Sequence, residues 1–394
     1  MRALLVLAAL AWGCRSSAGP HDAGAPRLDA VVRDVPSPDV TDVVDVPAPP
    51  RRVTVTVAGD LLLTEAVLRQ VQSKRENGRL VALLGPVAPL LAFQTIAFAN
   101  LRTPLGTAAT LAASRGGAPV ELARDLARVG FDVLQLSNDH TGDLGAAGLR
   151  DSLDALRAAH VLPAGVNDGD DGPHAPVIVE RDGVRVAFFG ATSRLLRDPG
   201  EPRGEHEPRI ARVNADPTPL LGAVTAARSA VDVVVVGIHW SRERYAPVAA
   251  AQRELATRLV AAGADLVVGF GQPTLGAVQR VPSPRGEAVV AWSPGTLLSH
   301  FGSAWHRGVT PAQIQQSPWV YDPGYRDGVM LHVSFDLRDA PNLRVSRLSA
   351  NAVWTSHLEG QLRVVPMRTV DERVSNERLS AIRTALGAAV RVRP

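Results

Sequence analysis

The chain has 394 residues, of which 46% are hydrophobic and 4% aromatic, and its formal net charge is +3. This length and apolar content allow one large domain or two medium domains with a sizeable core. Dense basic runs with interleaved aromatic residues are absent, so no nucleic-acid partner is expected. Cys14 is the only cysteine, which excludes an intramolecular disulfide and a thiolate metal site.

Residues 1–14 resemble a bacterial lipoprotein signal peptide. Arg2 supplies a short positive region, and residues 3–12 are an apolar stretch too short to span a membrane. The segment A-W-G-C ends in Cys14, whose thiol would be lipidated and would become the new N-terminus. This pattern predicts an exported protein that is lipid-anchored in the cell envelope, at the outer membrane or facing the periplasm. The alternative is an ordinary cleaved signal peptide with an incidental cysteine.

Residues 15–50 are rich in proline and aspartate and show no helical or strand period. Such a composition predicts a disordered, semi-extended stalk. We expect the folded domain at 51–366, followed by a C-terminal helical tail at 367–394.

Strands and helices alternate along the folded part, which is typical of an α/β domain. Apolar and β-branched runs predict strands at 53–58, 95–99, 131–136, 184–189, 231–238, 265–269, 287–292 and 329–336. Amphipathic spacing predicts helices at 64–74, 119–129, 146–159, 217–229, 247–262 and about 369–390. The valine run at 233–236 indicates a strand that is buried on both faces. The segment 329–366 has a more antiparallel, β-rich character.

Polar side chains follow three of these predicted strands. The segments are V-T-V-T-V-A-G-D at 53–60, L-S-N-D-H-T-G-D-L-G at 136–145 and V-D-V-V-V-V-G-I-H-W at 231–240. Loops beyond the carboxyl ends of strands in α/β proteins converge on one crevice. A carboxylate, an amide and an imidazole at such a place are a common way to build a metal or phosphate site.

Six segments in order resemble the CapA-type capsule-synthesis family, also called the poly-γ-glutamate biosynthesis family. A-G-D-L-L-L resembles the family's G-D-I-M-L motif, F-A-N-L-R-T-P-L its N-L-E-x-P-L, and L-S-N-D-H-T-G-D-L-G its A-N-N-H-x-x-D-x-G. I-H-W-S-R-E-R-Y is similar to H-W-G-x-E-Y, and W-S-P-G-T to Y-S-L-G-N. The helix and strand at 252–269 match those that precede the family's last histidine motif. The resemblance covers roughly 53–366.

This resemblance implies membership of the calcineurin-like metallophosphoesterase superfamily and its four-layer α/β/β/α sandwich with parallel-rich sheets. It also implies metal-dependent hydrolysis or transfer at phosphate or amide bonds, in the assembly or anchoring of an anionic surface polymer. By the family motifs, Asp60 would bind one metal ion, and Asp139 and His239 the other. His140 would act as the outer-sphere acid or as an orienting group.

The chain departs from the family at several of these positions. The acidic residue after N-L, which lies between the two metals in the superfamily, is Arg102. The histidines of G-H-P-H are Gln272 and Thr274, and the last asparagine is Thr296. The asparagine beside the signature histidine is Asp139. The missing ligands predict that a divalent metal, whether Mn, Fe or Zn, is bound weakly or not at all.

Two functional interpretations follow. In the first, Arg102 pairs with Asp60, Asp139 or both and replaces the metals, leaving a non-catalytic envelope lipoprotein. Its pocket would use Arg102, Asn138 and Glu243 to bind substrate or an anion, and its partners would be the membrane and an anionic polymer or its assembly machinery. In the second, an active metal-dependent phosphoesterase uses a rearranged site that recruits residues from the set Glu243, Asp143, His300 and His306. Structural roles stay open as well, such as Asp60 capping the helix near Thr64.

Overall fold

The computed structural model describes residues 51–73, 79–92, 95–114, 116–200, 207–214, 216–240, 247–337, 344–358 and 360–394. The predicted lipoprotein signal with Cys14, the predicted stalk at 15–50 and Glu243 lie outside these residues. Among the described residues, none of the helices has the length and apolar character required to cross a membrane.

The strands, numbered in chain order over the described residues, are β1 (Arg52–Leu61), β2 (Thr95–Leu101), β3 (Leu105–Gly106), β4 (Ala118–Pro119), β5 (Val133–Gln135), β6 (Leu162–Ala164), β7 (Val166–Asn167), β8 (Val177–Arg181), β9 (Val184–Thr192), β10 (Arg209–Ile210), β11 (Val233–His239), β12 (Leu266–Phe270), β13 (Val278–Ser283), β14 (Gly286–Ala291), β15 (Thr296–Leu298), β16 (Asp327–Asp336), β17 (Arg344–Leu358), β18 (Gln361–Pro366) and β19 (Arg391–Arg393).

The helices are α1 (Glu65–Ser73), α2 (Arg79–Leu84), α3 (Ala88–Leu91), α4 (Ala108–Ala113), α5 (Leu122–Val129), α6 (Gly145–Ala158), α7 (Thr218–Ala227), α8 (Ala250–Ala261), α9 (Pro311–Gln316), α10 (Pro318–Tyr321) and α11 (Glu372–Leu386). Every strand and helix predicted from the sequence overlaps one of these elements. Local chemistry fixes several ends: Asp371 Oδ1 accepts hydrogen bonds from the first backbone N–H groups of α11, at 3.1 and 3.3 Å.

The first sheet has nine strands in the order β18-β17-β16-β1-β2-β5-β6, with β15 paired to β1 and β19 to β17. Its strands β1, β2, β5 and β6 are parallel, so their carboxyl ends share one edge. On the other side of β1, the strands β16, β17 and β18 are antiparallel. This confirms the antiparallel, β-rich character predicted for 329–366.

The second sheet has six strands in the order β13-β14-β12-β11-β9-β8. The four inner strands are parallel, and the two edge strands β8 and β13 are antiparallel to their neighbours. As in the first sheet, the carboxyl ends of the parallel strands meet at one edge.

Three apolar layers separate these sheets and helices. The faces of the two sheets pack against each other through Val55, Phe98, Phe188 and Phe270. The outer face of the first sheet packs on α1, α2, α5 and α6, and the outer face of the second on α7 and α8. The order is therefore helices, sheet, sheet, helices, which confirms the four-layer α/β/β/α fold class.

The valine run of β11 shows how sequence and layers correspond. Val233 and Val235 face the layer between the sheets, and Val234 and Val236 face the layer under the helices. All four are completely buried, as the unbroken valine run predicts. Burying a valine side chain fully stabilises the fold by about 1.5–3 kcal/mol, so this strand is a strong element of the core.

The segment predicted as a C-terminal helical tail contributes to the core. Its helix α11 buries Leu379, Ile382 and Leu386 in the layer between the sheets. The short strand β19 then pairs in parallel with β17.

A local irregularity in β1 positions the site. The register between β1 and β2 shifts between Val57 and Asp60. Gly59 lies within this shift, and a Cβ atom there would be 2.2 Å from the carbonyl oxygen of Gly295. Only glycine allows this approach, which brings the Asp60 N–H within 3.1 Å of the same oxygen. The end of β1 is thereby fixed against the segment that precedes β15.

Candidate functional site

The carboxyl ends of the parallel strands from both sheets bring four side chains together. Asp60 lies at the end of β1, and Arg102 follows β2 directly. Asp139 lies beyond β5, and His239 is the last residue of β11. Strand ends separated by up to 179 positions in the chain (239 minus 60) therefore meet at one point, as the strand-end motifs predict.

Arg102 forms a two-pronged ion pair with Asp139. Its Nε donates to Asp139 Oδ1 at 2.8 Å and its Nη2 donates to Asp139 Oδ2 at 2.6 Å. The side chains are only 14% and 5% exposed, respectively. The planar guanidinium thus matches both carboxylate oxygens at once, which is the strongest geometry for this kind of pair. Since both oxygens of Asp139 are engaged by Arg102, its carboxylate is already committed within the chain.

Asp60 is 1% exposed and also faces this guanidinium. Its Oδ2 lies 3.5 Å from Arg102 Nη1 and accepts a hydrogen bond from the Gly271 backbone N–H at 3.2 Å. Its Oδ1 accepts from Asn100 Nδ2 at 2.9 Å. These partners hold the carboxylate inside the crevice, and none of them is the first turn of α1. The alternative role for Asp60, capping the helix near Thr64, is therefore wrong.

His239 is completely buried beside the ion pair. Its Nε2 lies 3.0 Å from Asp139 Oδ1, although the ring N–H is not aligned for a hydrogen bond with any described acceptor. On the other side of the ring, Nδ1 is 3.3 Å from the amide nitrogen of Asn100.

Burial and charge shift the ionisation of these groups in opposite directions. Burial raises the pKa of Asp60, and the neighbouring Arg102, His239 and Asn100 offset it only in part. Burial alone would also raise the pKa of Asp139, but His239 and Arg102 outweigh it and hold that pKa well below its usual range. The carboxylates in turn outweigh the burial of Arg102 and raise its pKa. Arg102 and Asp139 are thus a permanently charged pair.

Asn138 has its side chain engaged by the backbone. Its Nδ2 donates to the carbonyl oxygens of Leu101 and Leu136 at 2.8 and 3.0 Å, and its Oδ1 accepts from the His140 N–H at 3.0 Å. Asn138 is 1% exposed. The structure therefore gives it a role in fixing the loop after β5, which carries Asp139.

His140 and Asp143 form a second pair at the mouth of the site. The ring Nδ1 of His140 lies 2.7 Å from Asp143 Oδ2, and its Nε2 lies 4.0 Å from Asp139 Oδ1. The His140 side chain is 28% exposed. Asp143 orients the imidazole, so that the other ring nitrogen of His140, Nε2, points toward the crevice. The His140 ring remains partly accessible to solvent.

The positions where the family has its late histidines are also buried here. Gln272 is 3% exposed and Thr274 is 1% exposed, and Gln272 Nε2 donates to Thr274 Oγ1 at 3.2 Å. Gln272 Oε1 has no hydrogen-bond partner among the described residues. Thr296 Oγ1 donates to the Pro273 carbonyl oxygen at 3.2 Å. Gln272 therefore bonds to Thr274 in its own segment, and Thr296 bonds to the same segment from β15.

Two other residues that the sequence offered for a rearranged site have hydrogen-bond partners of their own. His300 Nδ1 is 2.9 Å from Thr64 Oγ1, and His306 Nδ1 accepts from the Gly308 N–H at 3.1 Å. Glu243 lies outside the described residues. Within the described ranges, no group of three or more His, Cys, Asp or Glu side chains has an arrangement that could hold a metal ion.

Asn100 is the residue that sequence reasoning missed. Its amide bridges Asp60 and His239, and its Oδ1 accepts from Asn138 Nδ2 at 3.3 Å. The signal was present in the segment F-A-N-L-R, where Asn100 precedes Arg102 by two positions at the end of β2. In register, Asn100 pairs with Asp60 across the two parallel strands.

Comparison with known proteins adds the following matches. The family described as "Bacterial capsule synthesis protein PGA_cap" matches residues 54–301. "Capsule biosynthesis protein CapA" of Bacillus anthracis is 28% identical over 238 residues, covering 59% of this chain and 55% of that protein. "PGA biosynthesis protein CapA" of Bacillus subtilis (strain 168) is 26% identical over 196 residues, covering 50% of this chain and 49% of that protein. The chain thus spans about half the length of these curated relatives.

Among solved structures, the Haemophilus influenzae NAD nucleotidase (NadN) aligns with a TM-score of 0.44 at 9% identity. The alignment covers 87% of this chain and 64% of that one.

Proposed function

This chain belongs to the PGA_cap family of bacterial capsule synthesis proteins, and we propose that it acts in capsule synthesis as a non-catalytic, lipid-anchored envelope component. The membership confirms the resemblance carried by its six motifs and assigns it a CapA-like capsule biosynthesis domain. In this proposal the domain takes part in the synthesis or anchoring of an anionic surface polymer of the poly-γ-glutamate type.

The Arg102–Asp139 ion pair is the observation that carries the non-catalytic role. A two-metal phosphoesterase holds its ions about 3.5–4 Å apart between carboxylates and imidazoles. Arg102 places a cation within 2.6 Å of Asp139 and 3.5 Å of Asp60. A divalent ion about 4 Å from this guanidinium would be repelled by on the order of 8 kcal/mol at an effective dielectric constant of 20.

The remaining donors do not compensate for this repulsion. Asp60, Asp139 and His239 survive, but Asp139 already has both oxygens on Arg102. Gln272 offers a neutral amide oxygen where the family has an imidazole nitrogen, and imidazole is the better ligand for Zn²⁺ and Fe²⁺. The residues therefore do not fit a binuclear centre.

A binding and hydrolysis experiment on the full-length protein tests the proposed function. We expect poly-γ-glutamate to bind at least about tenfold more tightly than neutral dextran of matched length, as measured by biolayer interferometry. We also expect no hydrolysis of bis(p-nitrophenyl) phosphate or of the polymer with Mn²⁺, Fe²⁺ or Zn²⁺ beyond that of the Asp60→Asn variant.

The Asp60→Asn variant separates the two functional interpretations. Equal polymer binding by wild type and variant, with no metal-dependent turnover in either, supports a binding role. Metal-dependent turnover by the wild type that Asp60→Asn abolishes would establish the hydrolase instead. Failure to prefer the acidic polymer over dextran would remove the polymer from the proposal.

The lipid anchor rests on the sequence A-W-G-C at 11–14. We expect the protein, expressed with its own leader in a bacterial host, to sediment with the membrane fraction. The Cys14→Ser variant should lose the thiol that accepts the lipid and shift to the soluble periplasmic fraction. Stable anchoring requires more than one acyl chain, because a single chain gives only marginal membrane binding. Loss of the full lipid modification should therefore release the protein from the membrane fraction. Unchanged membrane association of Cys14→Ser would contradict lipid anchoring.

A further inference from the structure

A second cavity lies apart from the Asp139 cluster and shares none of its residues. It has a volume of about 650 Å³ and is formed by the segment after β15, by β17 and β18, and by the start of α11. Six of its lining residues carry the argument: Trp305, Arg307, Arg326, Trp354, His357 and Arg363. Small-molecule sites commonly have volumes of roughly 300–1,000 Å³, so this cavity is large enough for a small ligand.

Arg326 is the central cation of the cavity. It is only 7% exposed, and its Nε donates to the Thr355 carbonyl oxygen at 2.7 Å. Its guanidinium carbon lies 4.1 Å from the ring centre of Trp354 and 5.6 Å from that of Trp305. Burial lowers the pKa of Arg326 to about 10, which still leaves it charged at neutral pH. The rings stabilise the cation and fix its plane, while the edge of the fork stays available.

No described carboxylate forms an ion pair with Arg326. The charge of the neighbouring Asp327 offsets part of the burial of Arg326, but both oxygens of that carboxylate are engaged by Arg378. Arg378 Nε donates to Asp327 Oδ1 at 3.2 Å, and Arg378 Nη2 contacts Oδ2. A buried guanidinium that shares its nearest carboxylate with a second arginine is costly unless a further anion pairs with it. The cavity supplies the space for that anion.

His357 adds an unpaired polar atom to the same wall. Its Nε2 is buried and has no hydrogen-bond partner among the described residues. Burial, together with Arg326 nearby, lowers the pKa of His357 to about 4, so the ring is neutral at neutral pH. A neutral imidazole next to Arg326 does not supply the missing negative charge.

The rim of the cavity is also cationic. Arg307 and Arg363 are exposed lining residues. Asp371 is the acidic lining residue, and its Oδ1 accepts from the backbone N–H groups of Arg373 and Val374 at the start of α11. The cavity is therefore lined by three arginines and one aspartate, and that aspartate already caps a helix.

We propose that this cavity binds a carboxylate-bearing organic ligand. The carboxylate would pair with the open edge of the Arg326 fork, and the carbon chain of the ligand would pack against Trp305 and Trp354. The ligand is either a free small acid or one unit of an acidic polymer threaded past the rim arginines. The proposal rests on this cavity alone and holds whether or not the Asp139 site is catalytic.

Calorimetric titration of the full-length protein tests the site, with N-acetylglutamate, a γ-linked glutamate trimer and inorganic phosphate as probes. We expect both carboxylate probes to bind and phosphate to bind more weakly. The Arg326→Gln variant should weaken carboxylate binding by roughly tenfold or more, because a charge-assisted, two-pronged contact is lost. Tighter binding of the trimer than of the monomer identifies the polymer as the source, and equal binding identifies a free acid.

Matched variants keep the test decisive. Arg157→Gln removes an exposed arginine that pairs with Asp168 away from the cavity, and it should bind the probes as the wild type does. If Arg326→Gln does not fold, the exposed pair Arg307→Gln and Arg363→Gln should still weaken binding by roughly threefold. Absence of binding in the wild type, or unchanged affinity in folded Arg326→Gln or in the rim variant, would overturn the proposal. Phosphate binding as tight as carboxylate binding would overturn it as well.

Discussion

Replacing Arg102 with methionine is expected to lower the free energy of unfolding by about 3–5 kcal/mol. The substitution keeps most of the side-chain volume but removes the cation between two buried carboxylates. Asp139 would lose both of its short contacts, and Asp60 would lose the charge that lies 3.5 Å away. Denaturation in guanidinium chloride, followed by circular dichroism, measures the change.

Two further variants give this prediction its controls. Arg157→Met breaks the exposed pair with Asp168 and should change stability by less than about 1 kcal/mol. Adding Asp139→Asn to Arg102→Met removes the uncompensated charge and should recover part of the loss. An Arg102→Met variant within about 1 kcal/mol of the wild type would show that the pair does not hold the site together.

Restoring the family's ligands is expected to create metal binding where the wild type has little. The triple variant Arg102→Glu, Gln272→His and Thr274→His exchanges the cation for a carboxylate and adds two imidazoles near Asp60 and His239. Without metal, a third carboxylate in this buried site should destabilise the fold. With Mn²⁺ or Zn²⁺ at about 100 times its dissociation constant, the triple variant should gain about 2.7 kcal/mol, seen as a rise in the melting temperature.

A double variant shows which change matters. Gln272→His and Thr274→His together, with Arg102 retained, should gain much less from metal because the guanidinium still repels the ion. A triple variant that gains no stability from metal would mean that these positions do not converge as the family motifs imply. A wild type that gains as much as the triple variant would mean that Arg102 does not displace the metal.

The layers of the fold could be predicted from the sequence, because the period of the apolar residues indicates which faces are buried. The valine run of β11 predicts a strand covered on both faces, and both faces are covered. Shorter elements are harder to predict. The helices α2 and α9 have six residues each, and a helical period needs more turns to be recognised. In the edge strand β8, the apolar Ile178 is exposed between two valines, so the sequence does not show the alternation of burial.

The candidate site could be predicted in part from the sequence. The polar residue at each strand end marks Asp60, Asp139 and His239 as neighbours, because parallel strands present their carboxyl ends together. The departure at Arg102 predicts an ion pair with Asp60, Asp139 or both. In the structure, the Arg102 guanidinium donates two hydrogen bonds to Asp139. Which carboxylate takes the fork depends on the loop after β5, whose conformation is fixed by Asn138.

The second cavity could not be predicted from the sequence. Its residues come from the segment after β15 and from three elements that meet only through antiparallel pairing and the return of α11. In the sequence, Trp305, Arg326 and Trp354 are separate polar and aromatic positions without a common motif. Only their packing, with the Arg326 guanidinium against both rings, shows a site.

The metal content of the full-length wild-type protein tests the central claim most directly. The protein would be incubated with Mn²⁺, Fe²⁺ and Zn²⁺, freed of excess ions and measured by inductively coupled plasma mass spectrometry. If Arg102 takes the place of the metals, the content should stay well below one ion per chain. About two ions per chain would contradict the account, because a binuclear centre could not form with Arg102 paired to Asp139.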